Sequence, residues 1–258
     1  MHGPVWDPAQ YDRFASERER PFFDLLARVP SREFQTIVDL GCGTGRLTEV
    51  LAQMHPRATV VGVDRSPEML AEARQYARSV RVVEADLTAW EPDGPVSLLF
   101  SNAVLHWVPQ HVGLLPKFAS WLDGEGVMAV QVPANFDAPS HEVLKRVTAQ
   151  GPWRQKVAGL AEEPRAPALS TYAEALLDLG LQVDAWETVY HHMLAGPDPV
   201  LEWLKGTALR PILAKLAHDE SHDFLEALGE ALRRAYPATG SVTAFPFRRR
   251  FFVAKKPA

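Results

Sequence analysis

Apolar positions along this chain follow two patterns, short dense runs and longer segments with helical spacing, and their alternation predicts the layout. Runs rich in Val, Ile and Leu lie at 36–40, 59–64, 81–86, 96–101 and 127–132 and read as strands. Helix-compatible segments separate them, notably 46–54 and 67–77, the second opened by Ser66 as N-cap and Pro67 at the first helical position. Strands apolar on both faces, joined by crossovers of helical length, imply a mostly parallel sheet covered by helices on both sides.

Beyond residue 137 the pattern changes. Pro139, Pro152, Pro164 and Pro167 interrupt short helical pieces, and a second helical stretch runs over 199–236, bracketed by strand candidates at 182–192 and 247–255. The expected organisation is one α/β, Rossmann-like domain. It has an N-terminal helical segment (1–35), a ligand-binding core (36–137), helical cap insertions (138–170 and 195–238) and two strands completing the sheet (182–194 and 246–256).

Composition narrows the partners. A formal net charge of -5 gives no general attraction to phosphate backbones or anionic membranes, so nucleic acid and membrane are not expected partners. The one cysteine, Cys42, excludes an intramolecular disulfide and is in keeping with a reducing, cytoplasmic setting. No apolar run reaches membrane-spanning length, the nine histidines form no ligand spacing for a metal, and a soluble monomer is the expectation.

The chemistry concentrates at the end of the first strand, where Asp39, Leu40, Gly41, Cys42, Gly43, Thr44 and Gly45 run in succession into a helix. Glycines there let the backbone turn tightly and approach a ligand closely. Asp64 follows about twenty residues on, at the end of the second strand, where a carboxylate can accept from both ribose hydroxyls. Asp86 ends the third run, so three acids stand at successive strand ends, where parallel sheets bind ligands. A dinucleotide site would show G-x-G-x-x-G with pyrophosphate over a helix N-terminus. The G-x-G-x-G spacing here, with an acid two residues before it, instead resembles the first motif of class I S-adenosylmethionine-dependent methyltransferases. That cofactor carries an ammonium and a sulfonium but no phosphate, so Asp39 beside the turn helps rather than repels. The resemblance implies that Asp64 holds the ribose, Met69 packs on the adenine, Asp86 and the Leu87 backbone read its edge, and Asn102 lines the methyl-transfer mouth.

A narrower resemblance spans nearly the whole chain. WDP at 6–8 with Tyr11, FASERERP at 14–21, LARVP at 26–30, SNAVLHW at 101–107, AVQVP at 129–133, YHHM at 190–193 and TALRP at 207–211 are similar to the trans-aconitate 2-methyltransferase subgroup. It implies esterification of a carboxylate on a small tricarboxylic acid. Other acceptors of the same enzyme class remain open, namely another small acid, a carrier-bound acyl group or an amine, as does a non-catalytic cofactor-binding module. A carboxylate is ionised at neutral pH and needs no general base, so catalysis reduces to positioning. A polyanion calls for arginine forks. The candidates are Arg20, Arg210 and Arg250, assisted by Tyr11, His106, Trp107, Tyr190 and His192. His191 and His192 point to opposite faces of a strand, so at most one of them faces the acceptor. Trp107 and Trp203 read first as packing residues although either could wall the pocket, and 248–250 could equally guard an edge strand.

Overall fold

The computed structural model describes residues 14–161 and 166–257. In chain order its elements are α1 (Ala15–Leu26), β1 (Thr36–Leu40), α2 (Arg46–Met54), β2 (Thr59–Asp64), α3 (Pro67–Tyr76), β3 (Val80–Glu84) and β4 (Val96–Asn102). After two 3-10 turns come α4 (Leu115–Trp121), β5 (Leu122–Pro133), α5 (Pro139–Gln150), α6 (Arg154–Val157), α7 (Leu169–Asp178) and β6 (Gln182–Ala195). The chain finishes with α8 (Pro199–Lys205), α9 (Arg210–Leu213), α10 (His218–Ala235) and β7 (Val242–Lys255).

The strands form a seven-stranded sheet in the order β3-β2-β1-β4-β5-β7-β6. β1, β2, β3, β4 and β5 pair in parallel, and β7 pairs antiparallel to β5. The strand order reverses between β1 and β4, so the C-terminal ends of those two strands frame the crevice where open α/β sheets take ligands. This is the mostly parallel α/β architecture that the alternation of runs predicts, with β7 as an antiparallel member. Three strands are longer than their apolar runs, since β5 begins at Leu122, β6 continues to Ala195 and β7 begins at Val242.

The described residues divide into two compact units. Among them, a sheet unit holds Arg18–Pro133, Ala166–Glu187 and the last strand from Arg249, and a helical unit holds residues 14–17, 134–161 and 188–248. In the sheet unit, Ile37, Val38, Leu40, Leu98, Leu99 and Phe100 are fully buried, as strands covered on both faces require. Its helix α1 presents Arg18, Phe22, Leu25 and Leu26 on one buried stripe, and Phe22 packs against Phe100 of β4 with ring centroids 5.0 Å apart. Ser66 caps α3 as its sequence predicts, its hydroxyl accepting the Met69 N–H at 3.3 Å. The helical unit has its own core, in which Phe224, Leu228 and Leu232 of α10 form a stripe packed with Leu204, Leu209, Ile212 and Phe245. Among the described residues no helix is long and apolar enough to cross a membrane.

Candidate functional site

The Gly-rich turn leaves β1 at the strand-order reversal. Both the Gly41 and Cys42 N–H groups donate to the Val63 carbonyl, at 2.7 and 3.1 Å, which ties the turn to the end of β2. Gly41 has φ +77°, and a Cβ there would come within 2.1 Å of a Val104 methyl, so only glycine closes this turn. Gly43 (φ +54°) is the opposite case: a Cβ would meet nothing within 4 Å, so open space lies above it. Its N–H donates to Asp64 Oδ2 at 3.0 Å, and the Ser66 N–H donates to Oδ1 at 2.9 Å. Asp64 therefore clasps the turn to the start of α3, and each oxygen keeps a lone pair for a further donor.

Beneath the turn, Asp39 is 5% exposed and accepts the Thr48 hydroxyl at 2.5 Å. Burial pushes its carboxyl up to about 7 against the opposing Thr48 bond, and the neighbouring Asp64 charge adds to the rise. Burial, followed by the charges of Asp39 and Asp64, raises the Cys42 thiol, which stays protonated. Asp86 lies just past β3 and is exposed. Its Oδ1 accepts both the Thr88 hydroxyl at 2.7 Å and the Thr88 N–H at 2.8 Å, and these bonds hold its carboxyl below the usual range. Met69 is buried in the first turn of α3, Gly45 stands at the N-cap of α2, Leu87 follows Asp86, and Asn102 ends β4. Asn102 brings an acceptor, its buried Oδ1, that no described residue satisfies.

These residues fit S-adenosylmethionine. An unfilled buried acceptor suits an ammonium, a half-buried carboxylate with spare lone pairs suits ribose hydroxyls, and the open space over Gly43 admits the ligand against bare backbone.

Farther along the same strand ends, His106 and Trp107 lie in a 3-10 turn after β4, their rings 4.6 Å apart. His106 is 5% exposed, and burial, the Arg249 guanidinium and His111 together depress its imidazole to about 3. It is neutral at physiological pH and supplies no positive charge. The cation beside it is Arg249, 4% exposed, whose Nη1 donates to Gln131 Oε1 at 3.4 Å. Arg250, by contrast, donates from Nε to Glu187 at 2.7 Å and from Nη1 to the carbonyls of Ala166 and Pro167. Its fork fastens the chain before α7 to β6 and β7. Arg20 is largely exposed and lies 4.0 Å from Asp24 one turn on, whereas Arg18 is 6% exposed on the same helix.

Three further candidates belong to the helical unit. Tyr190 and His192 are buried while His191 is exposed, so strand alternation turns His192 inward. His192 stacks on Trp203 at 5.0 Å, and Trp203 packs with Phe14, Phe245 and Phe247. Arg210 is half-buried at the start of α9. Tyr11 and the WDP segment lie outside the described residues.

The sequence-predicted cofactor residues thus all belong to the sheet unit, at or just beyond the ends of β1, β2, β3 and β4. The acceptor candidates divide between the units, and three buried polar residues of the sheet unit, Arg18, Gln131 and Arg249, stand outside the sequence-based set. Gln131 had a visible signal, since it is the one polar side chain in the apolar run 127–132.

A methyltransferase-domain profile matches residues 37–126, the span from β1 into β5. Over 264 aligned residues the chain is 46% identical to trans-aconitate 2-methyltransferase of Streptomyces avermitilis, covering 99% of this chain and 98% of that protein. The enzyme of the same name from Azoarcus sp. is 43% identical, with 97% and 99% covered. Among solved structures, Haemonchus contortus phosphoethanolamine N-methyltransferase 2 in complex with S-adenosyl-L-methionine superposes with a TM-score of 0.56 at 16% identity, covering 93% of this chain and 53% of that one. The cyclase SpnF superposes equally well, with a TM-score of 0.57 at 14% identity and 93% and 82% covered. Likeness at that distance shows the fold alone.

Proposed function

The chain belongs to the trans-aconitate 2-methyltransferase family of S-adenosylmethionine-dependent methyltransferases, and from that premise we propose that it esterifies one carboxylate of trans-aconitate or a closely related tricarboxylic acid. The observation that carries this acceptor is the 46% identity sustained over 99% of the chain, helical insertions included. S-adenosylmethionine supplies an electrophilic sulfonium methyl. A carboxylate oxygen gains the methyl, S-adenosylhomocysteine is left, one positive and one negative charge disappear together, and no proton is released.

The residues of the crevice have separate tasks. Asp64 accepts from the ribose hydroxyls, Asn102 Oδ1 accepts from the ammonium, Met69 packs against the adenine, and Asp86 with the Leu87 backbone reads its edge. Because the acceptor carboxylate is ionised near neutral pH, no side chain has to remove a proton. Neutral His106 accordingly offers a dipole and a wall rather than a base or a charge. What remains is orientation, which can contribute roughly 7–11 kcal/mol to lowering a barrier.

Transfer of a radiolabelled methyl from S-adenosylmethionine to a panel of di- and tricarboxylates, amines and phenols tests the reading. Base-labile label on trans-aconitate is the expected product. Label on an amine or phenol with none on any carboxylate would overturn it.

A further inference from the structure

Asn102 and Gln131 are register partners at the C-terminal ends of β4 and β5, and each carries a buried polar atom that no described residue satisfies. The two atoms differ in kind. Asn102 presents an acceptor, Oδ1, whereas Gln131, fully buried, presents a donor, Nε2. The Gln131 amide is oriented by its neighbour, because Arg249 Nη1 donates to Oε1 and leaves Nε2 pointing elsewhere. Across the antiparallel pair Gln131 faces Phe251 and Pro133 faces Arg249, so Gln131 and Arg249 lie on one face of the sheet, two positions apart. Asn102 shares that face through its pairing with Gln131.

An amide donor beside a buried guanidinium is a carboxylate-binding pair, and the acceptor on Asn102 separates it from the ammonium side of the crevice. One chemical constraint decides which carboxylate it takes. A guanidinium bound to the reacting carboxylate would withdraw the charge that makes its oxygen nucleophilic. The pair therefore suits a carboxylate that is not being methylated. Building on the acceptor class proposed above, we propose that Arg249 and Gln131 form a receptor for a second, non-reacting carboxylate of the acceptor, which makes the enzyme select polycarboxylates over monocarboxylates.

The test is steady-state kinetics of the wild type, Arg249→Lys and Gln131→Met on trans-aconitate and on a monocarboxylate such as crotonate. Cofactor affinity by calorimetry and thermal melts are measured on the same proteins. Both variants are expected to lose about thirtyfold or more in kcat/KM on trans-aconitate, mainly through KM, as loss of one partner of a buried charged pair implies. Crotonate turnover and cofactor affinity should move by no more than about threefold, so that the preference for the polyacid collapses. A merely structural role would depress both acids alike. If Arg249→Lys fails to fold, Gln131→Met, which leaves the cation in place, decides the matter. Retention of the wild-type preference by the folded variants would overturn the receptor while leaving the acceptor class intact. A wild type that esterifies no polycarboxylate would remove both.

Discussion

Asp64 and Gly43 stand twenty-one residues apart in the chain and are joined by a 3.0 Å hydrogen bond from the Gly43 N–H to Asp64 Oδ2. With the Ser66 N–H on its other oxygen, the carboxylate proposed for the ribose hydroxyls also braces the Gly-rich turn. Asp64→Ala is expected to weaken cofactor binding by about 1.5–3 kcal/mol, the usual worth of hydrogen bonds to a charged group, and to lower stability modestly as two N–H groups lose their acceptor. Calorimetry and thermal melts on one preparation separate the effects. A collapsed melting temperature with unchanged affinity would assign Asp64 to the turn alone.

Gly41 and Gly43 should respond differently to alanine. At Gly41 the added methyl meets Val104 at 2.1 Å, so the turn must open and both stability and binding fall. At Gly43 the methyl enters open space, and the folding cost is limited to the positive φ, about 1–2 kcal/mol. That methyl occupies room the cofactor needs, so Gly43→Ala should lose cofactor affinity out of proportion to its stability. Equal loss in both properties would count against a ligand passing over Gly43.

Asp39 predicts a pH dependence of stability. Its folded carboxyl is raised to about 7 from an ordinary 3.8, chiefly by burial. A raised folded value means that the contribution is fully present below about pH 4, is lost as pH climbs through 7, and costs at most about 4 kcal/mol once ionised. Asp39→Asn keeps an acceptor for Thr48 and removes the titration. Urea unfolding of the unliganded protein at pH 5, 6 and 8 should therefore show a flatter profile for the variant and greater stability than wild type at pH 8. Parallel profiles would place the titration elsewhere.

Arg250 sits next to Arg249 in sequence but is committed to Glu187 and two backbone carbonyls. Arg250→Lys cannot reproduce three contacts from one fork, so it should cost about 1–3 kcal/mol of stability. Kinetics on the acceptor should change little, in contrast to Arg249→Lys. A strong rise in KM with an unaltered melting temperature would return Arg250 to the acceptor site.

The sequence by itself determined the parallel core and the Gly-rich turn at the end of its first strand. The strands Thr36–Leu40 and Thr59–Asp64 and the helix Arg46–Met54 end where their patterns end, and Ser66 caps the helix its sequence marks. These features are legible because they are local. A continuous apolar run signals a strand covered on both faces, a glycine marks a turn that a side chain would obstruct, and acids at strand ends follow from the strands themselves.

Only the tertiary structure decided which arginines are buried. In sequence, Arg18 and Arg20 stand two apart on one helix, and Arg249 and Arg250 are neighbours on one strand. Each pair is chemically alike, so the resemblance blocks could not separate their members. Helix phase and strand alternation turn Arg18 and Arg249 inward, leave Arg20 in solvent, and fasten Arg250 to Glu187. The role of Gln131 was hidden for the same reason. Its partner Arg249 lies 118 residues along the chain, and only the antiparallel register of β5 and β7 brings that guanidinium to its amide. Periodicity shows that a face exists, whereas its orientation and occupants depend on contacts between segments far apart in the chain.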